Sequence, residues 1–112
     1  MAEKIALASS TGIFVDEHFA QATAFYIYSK SADKFIFEEK RICRCPVGHD
    51  TNAFDAIIEL LSDCEAIFVN KIGVGAAHYL IEKGKRVFDA PYPVETVLEQ
   101  VIKKDLLADT KA

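Results

Sequence analysis

The segment that decides the fold is Ala24 to Arg41, with the sequence AFYIYSKSADKFIFEEKR. Its two halves are rich in aromatic and β-branched residues with a period of two, which is typical of strands. The short polar connection Ser31-Ala32-Asp33 separates them, as expected for an antiparallel hairpin. The segment therefore predicts two neighbouring antiparallel strands, over 24–30 and 34–41.

The segments on either side extend this hairpin into a larger sheet. Ile5-Ala6-Leu7-Ala8 predicts a first strand that is buried on both faces. After residue 50 the apolar period changes from two to about 3.6, and strand-like runs then alternate with helical ones. The predicted order is β-β-β-α-β-α-β-α. A hairpin followed by βα units implies one α/β domain over 1–112, a mixed sheet with helices packed on it, and a frayed polar tail over 105–112.

Composition narrows the possible partners. The chain has 112 residues and a formal net charge of −4, which argues against nonspecific binding of nucleic acid. No apolar run approaches the roughly 20 residues that span a bilayer, and the N-terminus does not resemble a signal peptide, so we expect a cytoplasmic protein without a membrane partner. Three cysteines in such a compartment favour metal or redox chemistry over a disulfide framework. Cys64, between a predicted helix and an apolar strand, is expected to be a buried small hydrophobe.

Most of the chemistry lies in the segment from Arg41 to Asp50, RICRCPVGHD. Its ligand-type and cationic residues are Arg41, Cys43, Arg44, Cys45 and His49. In an extended segment, residues two positions apart point to the same side, so the two thiols could bind one metal or one edge of a cluster. The neighbouring arginines favour the ligating thiolate form. We therefore predict a metal centre or an anionic metal–sulfur cluster here, with Cys43, Cys45 and His49 as metal ligands.

A second candidate feature is Gly73-Val74-Gly75, which opens a predicted helix. The free backbone N–H groups of the first helical turn, through Ala76, would point at a nearby anion. His78 stands where a dinucleotide-binding fingerprint would carry its third glycine, so that motif is incomplete. Together with thiols and arginines, the turn suits an anionic cluster better than a bare cation.

Three further segments carry a family resemblance: Asp16 to Ala22 (DEHFAQA), Ile58 to Cys64 (IELLSDC) and Asn70 to Ala77 (NKIGVGAA). Their spacing resembles the dinitrogenase iron–molybdenum cofactor-binding family, over nearly the whole chain from Ile5 to about Val101. Members include small carrier proteins of nitrogenase cofactor assembly and the C-terminal domain of the enzyme that makes the cofactor precursor.

The resemblance implies a ribonuclease-H-like α/β fold and a non-catalytic carrier of an iron–sulfur or molybdenum–iron–sulfur cluster, related to nitrogen fixation and cofactor biosynthesis. It also implies that His18 is a candidate ligand and that the segment from Arg41 to His49 faces the same pocket. The radical-SAM cysteine triplet of the assembly enzyme is missing, so the chain looks like a free-standing version of that enzyme's tail. Cluster-assembly or acceptor proteins are the expected protein partners.

Three alternatives remain open from the residues alone. A zinc site would use Cys43, Cys45, His49 and His18, the right ligand types for tetrahedral zinc. A ribonuclease-H-type nuclease would need carboxylates converging on two metals, and its candidates are Asp16, Glu17, Asp50 and Asp55. A redox switch would use Cys43 and Cys45 as a reversible pair.

Overall fold

In the computed structural model, eight elements follow the predicted order. The structure describes residues 3–19, 22–32, 34–42 and 51–103, and for residues 51–54 the backbone alone. The elements are β1 (Lys4–Ala8), β2 (Ala24–Ser31), β3 (Lys34–Ile42), α1 (Thr51–Leu60), β4 (Ala66–Val69), α2 (Val74–Glu82), β5 (Arg86–Asp89) and α3 (Val94–Lys103). The prediction for the tail at 105–112 lies outside these residues.

The five strands form one mixed sheet in the order β3-β2-β1-β4-β5. β2 is antiparallel to both β1 and β3, whereas β4 is parallel to β1 and to β5. The predicted hairpin and the predicted mixed sheet are both confirmed. The likeness to ribonuclease H stays a prediction.

Burial decreases from the centre of the sheet to its margins, which explains the sequence patterns. All four residues of β4 and the last four of β1 are buried, so these strands read as continuous apolar runs. β2 alternates buried and half-buried residues, while β3 is exposed at most positions because it is an outer strand. A bulge between Ile27 and Tyr28 in the β2–β3 register leaves Glu38 as the extra residue.

Each face of the sheet has its own core. The first core, under α1 and α2, contains Ala6, Ala8 and Phe25 from the strands together with helical residues such as Ile57 and Leu80. The second core, under α3, is made of residues including Ile5, Leu7, Phe68, Val97 and Val101. Alternate residues of β1 therefore enter opposite cores, as the pleat of a strand requires. None of the helices in the described ranges is long and apolar enough to cross a bilayer.

The topology brings the ends of three strands to one edge of the sheet. Ala8, at the end of β1, pairs with Phe25, and Phe25 pairs with Arg41 near the end of β3. Because β4 is parallel to β1, it ends at the same edge. We call this edge, where β1, β3 and β4 end, the carboxyl edge.

Candidate functional site

His18 lies at the carboxyl edge, in the connection that follows β1. This connection is fastened to the end of β4: the Asn70 amide donates to Glu17 O at 2.9 Å, and the Phe19 amide donates to Lys71 O at 3.0 Å. His18 forms an isolated parallel bridge with Lys71. The chain therefore brings together two segments that are more than fifty residues apart.

Burial explains why the histidine faces outward. Val15 is fully buried and Phe19 is 1% exposed, so these two side chains anchor the connection in the two cores. His18, next to Phe19, is left on the surface. Within the described part of the chain, no hydrogen bond or ion pair holds its imidazole. The ring is thus available to a ligand.

The two acidic residues that precede His18 in the chain hold other groups. The Asp16 carboxylate accepts hydrogen bonds from Ser10 N at 2.9 Å and from Ser10 Oγ at 2.7 Å. Partial burial would raise the pKa of Asp16, but these hydrogen bonds from Ser10 hold it below its ordinary value. The Glu17 carboxylate accepts from Thr23 N at 2.7 Å and from Thr23 Oγ1 at 2.8 Å.

The glycine turn follows the His18 bridge along the chain and starts α2. Gly73 is the N-cap, with φ −73° and ψ 159°, and its carbonyl accepts the first helical hydrogen bond from Ala77 N at 3.0 Å. No side chain in the described ranges caps this helix. The backbone N–H groups of the first turn, Val74 to Ala76, are therefore open to an anion, and they carry the positive end of the helix dipole.

Neither glycine of the turn is required by the fold. A Cβ atom added at Gly73 or Gly75 would meet nothing within 4 Å, and neither residue has a positive φ. By contrast, Gly12 has a φ of 84° and lies so close to the Tyr26 ring that a Cβ would be 2.6 Å from Cε2. The missing side chains at the start of α2 leave its amides uncovered. Ala76 is buried in the first core, so only its backbone could reach a ligand.

Arg41 lies at the other corner of the carboxyl edge, in contacts that the sequence did not suggest. Its guanidinium forms a two-pronged pair with Asp63, with Nη1 at 2.7 Å and Nη2 at 2.9 Å from the carboxylate oxygens. Nη1 also donates to Leu60 O at 2.9 Å, and Nε donates to Glu39 at 2.9 Å. We call this group the Arg41–Asp63 clamp. The clamp joins the end of β3 to the residues after α1. It therefore fixes the two ends of the intervening chain segment relative to each other.

The clamp shifts the titration of both partners. Hydrogen bonds from Arg41 hold the pKa of Asp63 well below its ordinary range, and the pKa of Arg41 is raised above its usual value chiefly by hydrogen bonding to Asp63. The predicted anion-binding role of Arg41 stays a prediction, and a cluster would have to compete with these contacts.

The neighbouring thiol, Cys64, is 2% exposed within the first core, which confirms the expectation for this residue. Burial, with the adjacent Asp63 charge, raises the pKa of Cys64 to about 12. A thiol that stays protonated in this way is a poor metal ligand.

The remaining predicted ligands, Cys43, Arg44, Cys45 and His49, lie outside the described residues. β3 ends at Ile42 on the carboxyl edge, and α1 is already formed at Thr51. In the described ranges, no three His, Cys, Asp or Glu side chains are grouped so as to hold a metal ion.

The carboxylates proposed for a nuclease hold other groups where they can be located. Asp16 and Glu17 hold Ser10 and Thr23 as described above. Asp55 accepts a hydrogen bond from the Tyr79 hydroxyl at 2.7 Å. Asp50 lies outside the described residues. Each located carboxylate therefore has its own partner.

Comparison with known proteins identifies relatives over most of the chain. The family model "Dinitrogenase iron-molybdenum cofactor" matches residues 1–104. The FeMo cofactor biosynthesis protein NifB of Klebsiella pneumoniae is 39% identical over 77 residues, which are 62% of this chain and 16% of that protein. Protein NifX of the same organism is 30% identical over 88 residues, 79% of this chain and 56% of that protein. The chain thus spans about a sixth of NifB and about half of NifX.

Solved structures agree on the fold. PH0822 superposes with a TM-score of 0.68 at 15% identity, covering 90% of this chain and 89% of that one. The mj0327 protein of Methanocaldococcus jannaschii gives 0.63 at 13% identity, covering 94% and 92%. The architecture is therefore shared at low sequence identity. With the family match over 104 of its 112 residues, the chain belongs to the dinitrogenase iron-molybdenum cofactor family.

Proposed function

We propose that the protein binds an iron–sulfur or molybdenum–iron–sulfur cluster at the carboxyl edge and carries it without transforming it. One observation carries the proposal. The bridge between His18 and Lys71 brings an imidazole that has no hydrogen bond or ion pair within the described ranges next to the segment leading into the uncapped first turn of α2. A soft-to-borderline ligand and a cluster of backbone donors then face the same exposed edge.

The electrostatics of this corner favour an anionic cargo. The positive end of α2 and the exposed Lys71 lie next to His18. Metal–sulfur clusters with thiolate ligands carry negative charge, and hydrogen bonds to their sulfurs stabilise them. Because the two glycines have no side chains, a bulky cluster could approach the backbone amides closely. A single metal cation would not need this space.

The proposal assigns the thiolate ligands to Cys43 and Cys45, with His49 as a further ligand and Arg44 as a source of positive charge. Their segment leaves the sheet at Ile42, on the same edge as His18. β3 is three strand positions from β4, or about 14 Å. An extended chain covers about 10 Å over the three residues from Ile42 to Cys45 and about 23 Å over the seven to His49. His49 can therefore reach the start of α2, and the thiols would hold the side of the cluster nearer to β3.

In this proposal Arg41 acts as an anchor. The Arg41–Asp63 clamp fixes the point where the thiol-bearing segment leaves β3 and ties it to the end of α1. Anchoring both ends reduces the conformational freedom lost when the segment closes on a cluster.

The relatives support the class of cargo. NifB is named for biosynthesis of the FeMo cofactor, and the family model is named for the iron–molybdenum cofactor. We infer that this chain handles a cluster of that class or its precursor, and that its protein partners donate or accept such clusters. A site with few protein ligands at an exposed edge suits release of the cargo.

Anaerobic reconstitution tests the proposal. The protein is incubated with iron and sulfide, desalted, and assayed for iron, sulfide and visible absorption. The wild type should bind iron and sulfide together and absorb in the visible, whereas Cys43→Ala/Cys45→Ala should lose both. Cys64→Ala is the matched control, because its buried thiol should not ligate. Stoichiometric zinc uptake without any visible absorption after iron and sulfide treatment would overturn the cluster proposal.

A further inference from the structure

β3 is the longer of the two outer strands. It spans nine residues, against four in β5 at the opposite margin. Its backbone pairs with β2 on one side, and within the described part of the chain no strand pairs with the other side. An outer strand with unpaired backbone groups is a template for pairing with another chain.

The first half of β3 carries apolar side chains on both faces. Ile36 pairs with Ser29 and lies on the face of the first core, where it is 45% exposed. Phe37 pairs with Tyr28 on the opposite face and is 50% exposed. The Phe37 ring is held by aromatic contacts, with centroids 5.5 Å from Tyr28 and 6.0 Å from Tyr26. The strand thus presents a fixed apolar surface at its outer edge.

We propose that residues 34–38 pair antiparallel with the same residues of a second copy of this chain, with the two-fold axis at Ile36. In this register Lys34 lies opposite Glu38 of the partner, and the symmetry makes this pair twice. Phe35 lies opposite Phe37, also twice, and Ile36 lies opposite itself. Every cross-strand pair is then either an attractive charge pair or an apolar pair.

The structure places the charged partners on one face. Lys34 pairs with Ser31 and shares the face of Ile36, because residues two apart point the same way. The Glu38 carboxylate accepts a hydrogen bond from the Ser29 hydroxyl, which holds it on that face as well. Its other oxygen has no hydrogen bond within the described ranges and can accept one from a lysine across the new interface.

Other registers are disfavoured by charge. A two-fold axis at Phe37 would set Lys34 opposite Lys40, and an axis at Glu38 would set that carboxylate opposite itself. The bulge at Glu38 ends the flat edge at the last residue of the proposed pairing, and Arg41 beyond it is held by Asp63. Pairing is therefore confined to the first half of the strand.

Sedimentation velocity of the purified protein over a wide concentration range tests this interface. The wild type should show a monomer–dimer equilibrium. Lys34→Glu and Glu38→Lys should each weaken the dimer by about tenfold or more, since each reverses two symmetry-related charge pairs. An equimolar mixture of these two variants should dimerise again, because both pairs across a heterodimer are attractive.

Two further variants complete the test. Ile36→Lys should abolish the dimer by placing two ammonium groups face to face, while Lys83→Glu, an equal charge change on α2, should leave it unchanged. Circular dichroism checks that each variant is folded. The proposal is overturned if the wild type is monomeric at every concentration, or if the mixture of Lys34→Glu and Glu38→Lys dimerises no better than either variant alone.

Discussion

The two corners of the carboxyl edge use polar groups in opposite ways. At the Arg41–Asp63 clamp, the guanidinium donates to a carboxylate, a backbone carbonyl and a second carboxylate, and its side chain is 17% exposed. At the corner of His18 and α2, the imidazole is exposed and the helix amides are uncapped in the described ranges. The first corner uses its polar groups to hold the fold, whereas the polar groups of the second have no partner within the described residues and are the ones we propose for a ligand. Stability and binding should therefore respond to different residues.

The largest expected effect on stability is at the clamp. Arg41→Ala removes the donors for Asp63, Glu39 and Leu60 O, and should lower the free energy of unfolding by about 2 kcal/mol. Urea denaturation measures it. Lys40→Ala is the control, because this exposed neighbour contacts only the face of Tyr26 among the interactions observed and should cost less than about 0.5 kcal/mol. Equal losses of unfolding free energy for Arg41→Ala and Lys40→Ala would show that the clamp stabilises the fold no more than an exposed lysine does.

The next effect is on binding alone. His18→Ala should leave the free energy of unfolding within about 0.5 kcal/mol of the wild type, because the side chain is exposed. It should weaken cluster retention at least about tenfold, as loss of a metal site's supporting groups commonly does. The readout is iron retained after competition with a chelator. His78→Ala, another exposed histidine, is the matched variant, and an equal loss there would contradict a specific role for His18.

The sequence reveals the order of the elements but not the contacts of the clamp. The order of the elements followed from continuous apolar runs in β1 and β4 and from a clear change of period after residue 50. The partner of Arg41 could not be predicted from the sequence. Asp63 is 22 residues away along the chain, and only the packing of α1 brings it close. Arg41 looked like part of a cationic pocket because its sequence neighbours are thiols and another arginine.

The site was predictable only in part, for similar reasons. His18 was singled out by a family resemblance, since no local pattern marks it. Its position beside α2 depends on the hydrogen bonds between residues 17–19 and 70–71, which are set by tertiary pairing. The acids that precede it in the chain accept hydrogen bonds from Ser10 and Thr23, which lie six residues away in each case. Spacing along the chain cannot show such competition.

A smaller effect should appear in the pH dependence of the clamp. Arg41 lowers the folded-state pKa of Asp63 from an ordinary value of 3.8, so the carboxylate stabilises the fold above that pH and loses this contribution as the pH falls through the lower folded value. Asp63→Asn should therefore be less stable than the wild type by about 1 kcal/mol at about pH 7, with allowance for solvent screening. The difference should shrink steadily below about pH 4. If the difference in unfolding free energy between the wild type and Asp63→Asn stays constant as the pH falls, the ion pair is not the cause of that difference.

The smallest effect has opposite signs for stability and binding. Gly75→Ala should raise the free energy of unfolding by about 0.5 kcal/mol, because alanine is the better helix former and its Cβ meets nothing. The same methyl group should reduce cluster binding by covering the amides. Gly12→Ala provides the contrast, since its positive φ and the Tyr26 ring should make it destabilising by at least about 1 kcal/mol. A stabilised Gly75→Ala that binds as well as the wild type would show that the bare amides are not used.

The most direct test of the central claim is to locate the cluster on the protein by NMR. Amide signals of the ¹⁵N-labelled chain are compared before and after it is loaded with iron and sulfide and reduced with dithionite, since a paramagnetic centre broadens nearby signals. We predict loss of the signals of His18, Phe19 and Val74 to Ala76, while Ile5, Lys34 and Arg86 at the opposite edge keep theirs. Iron-loaded protein in which the signals of His18 and the first turn of α2 remain sharp would contradict the account.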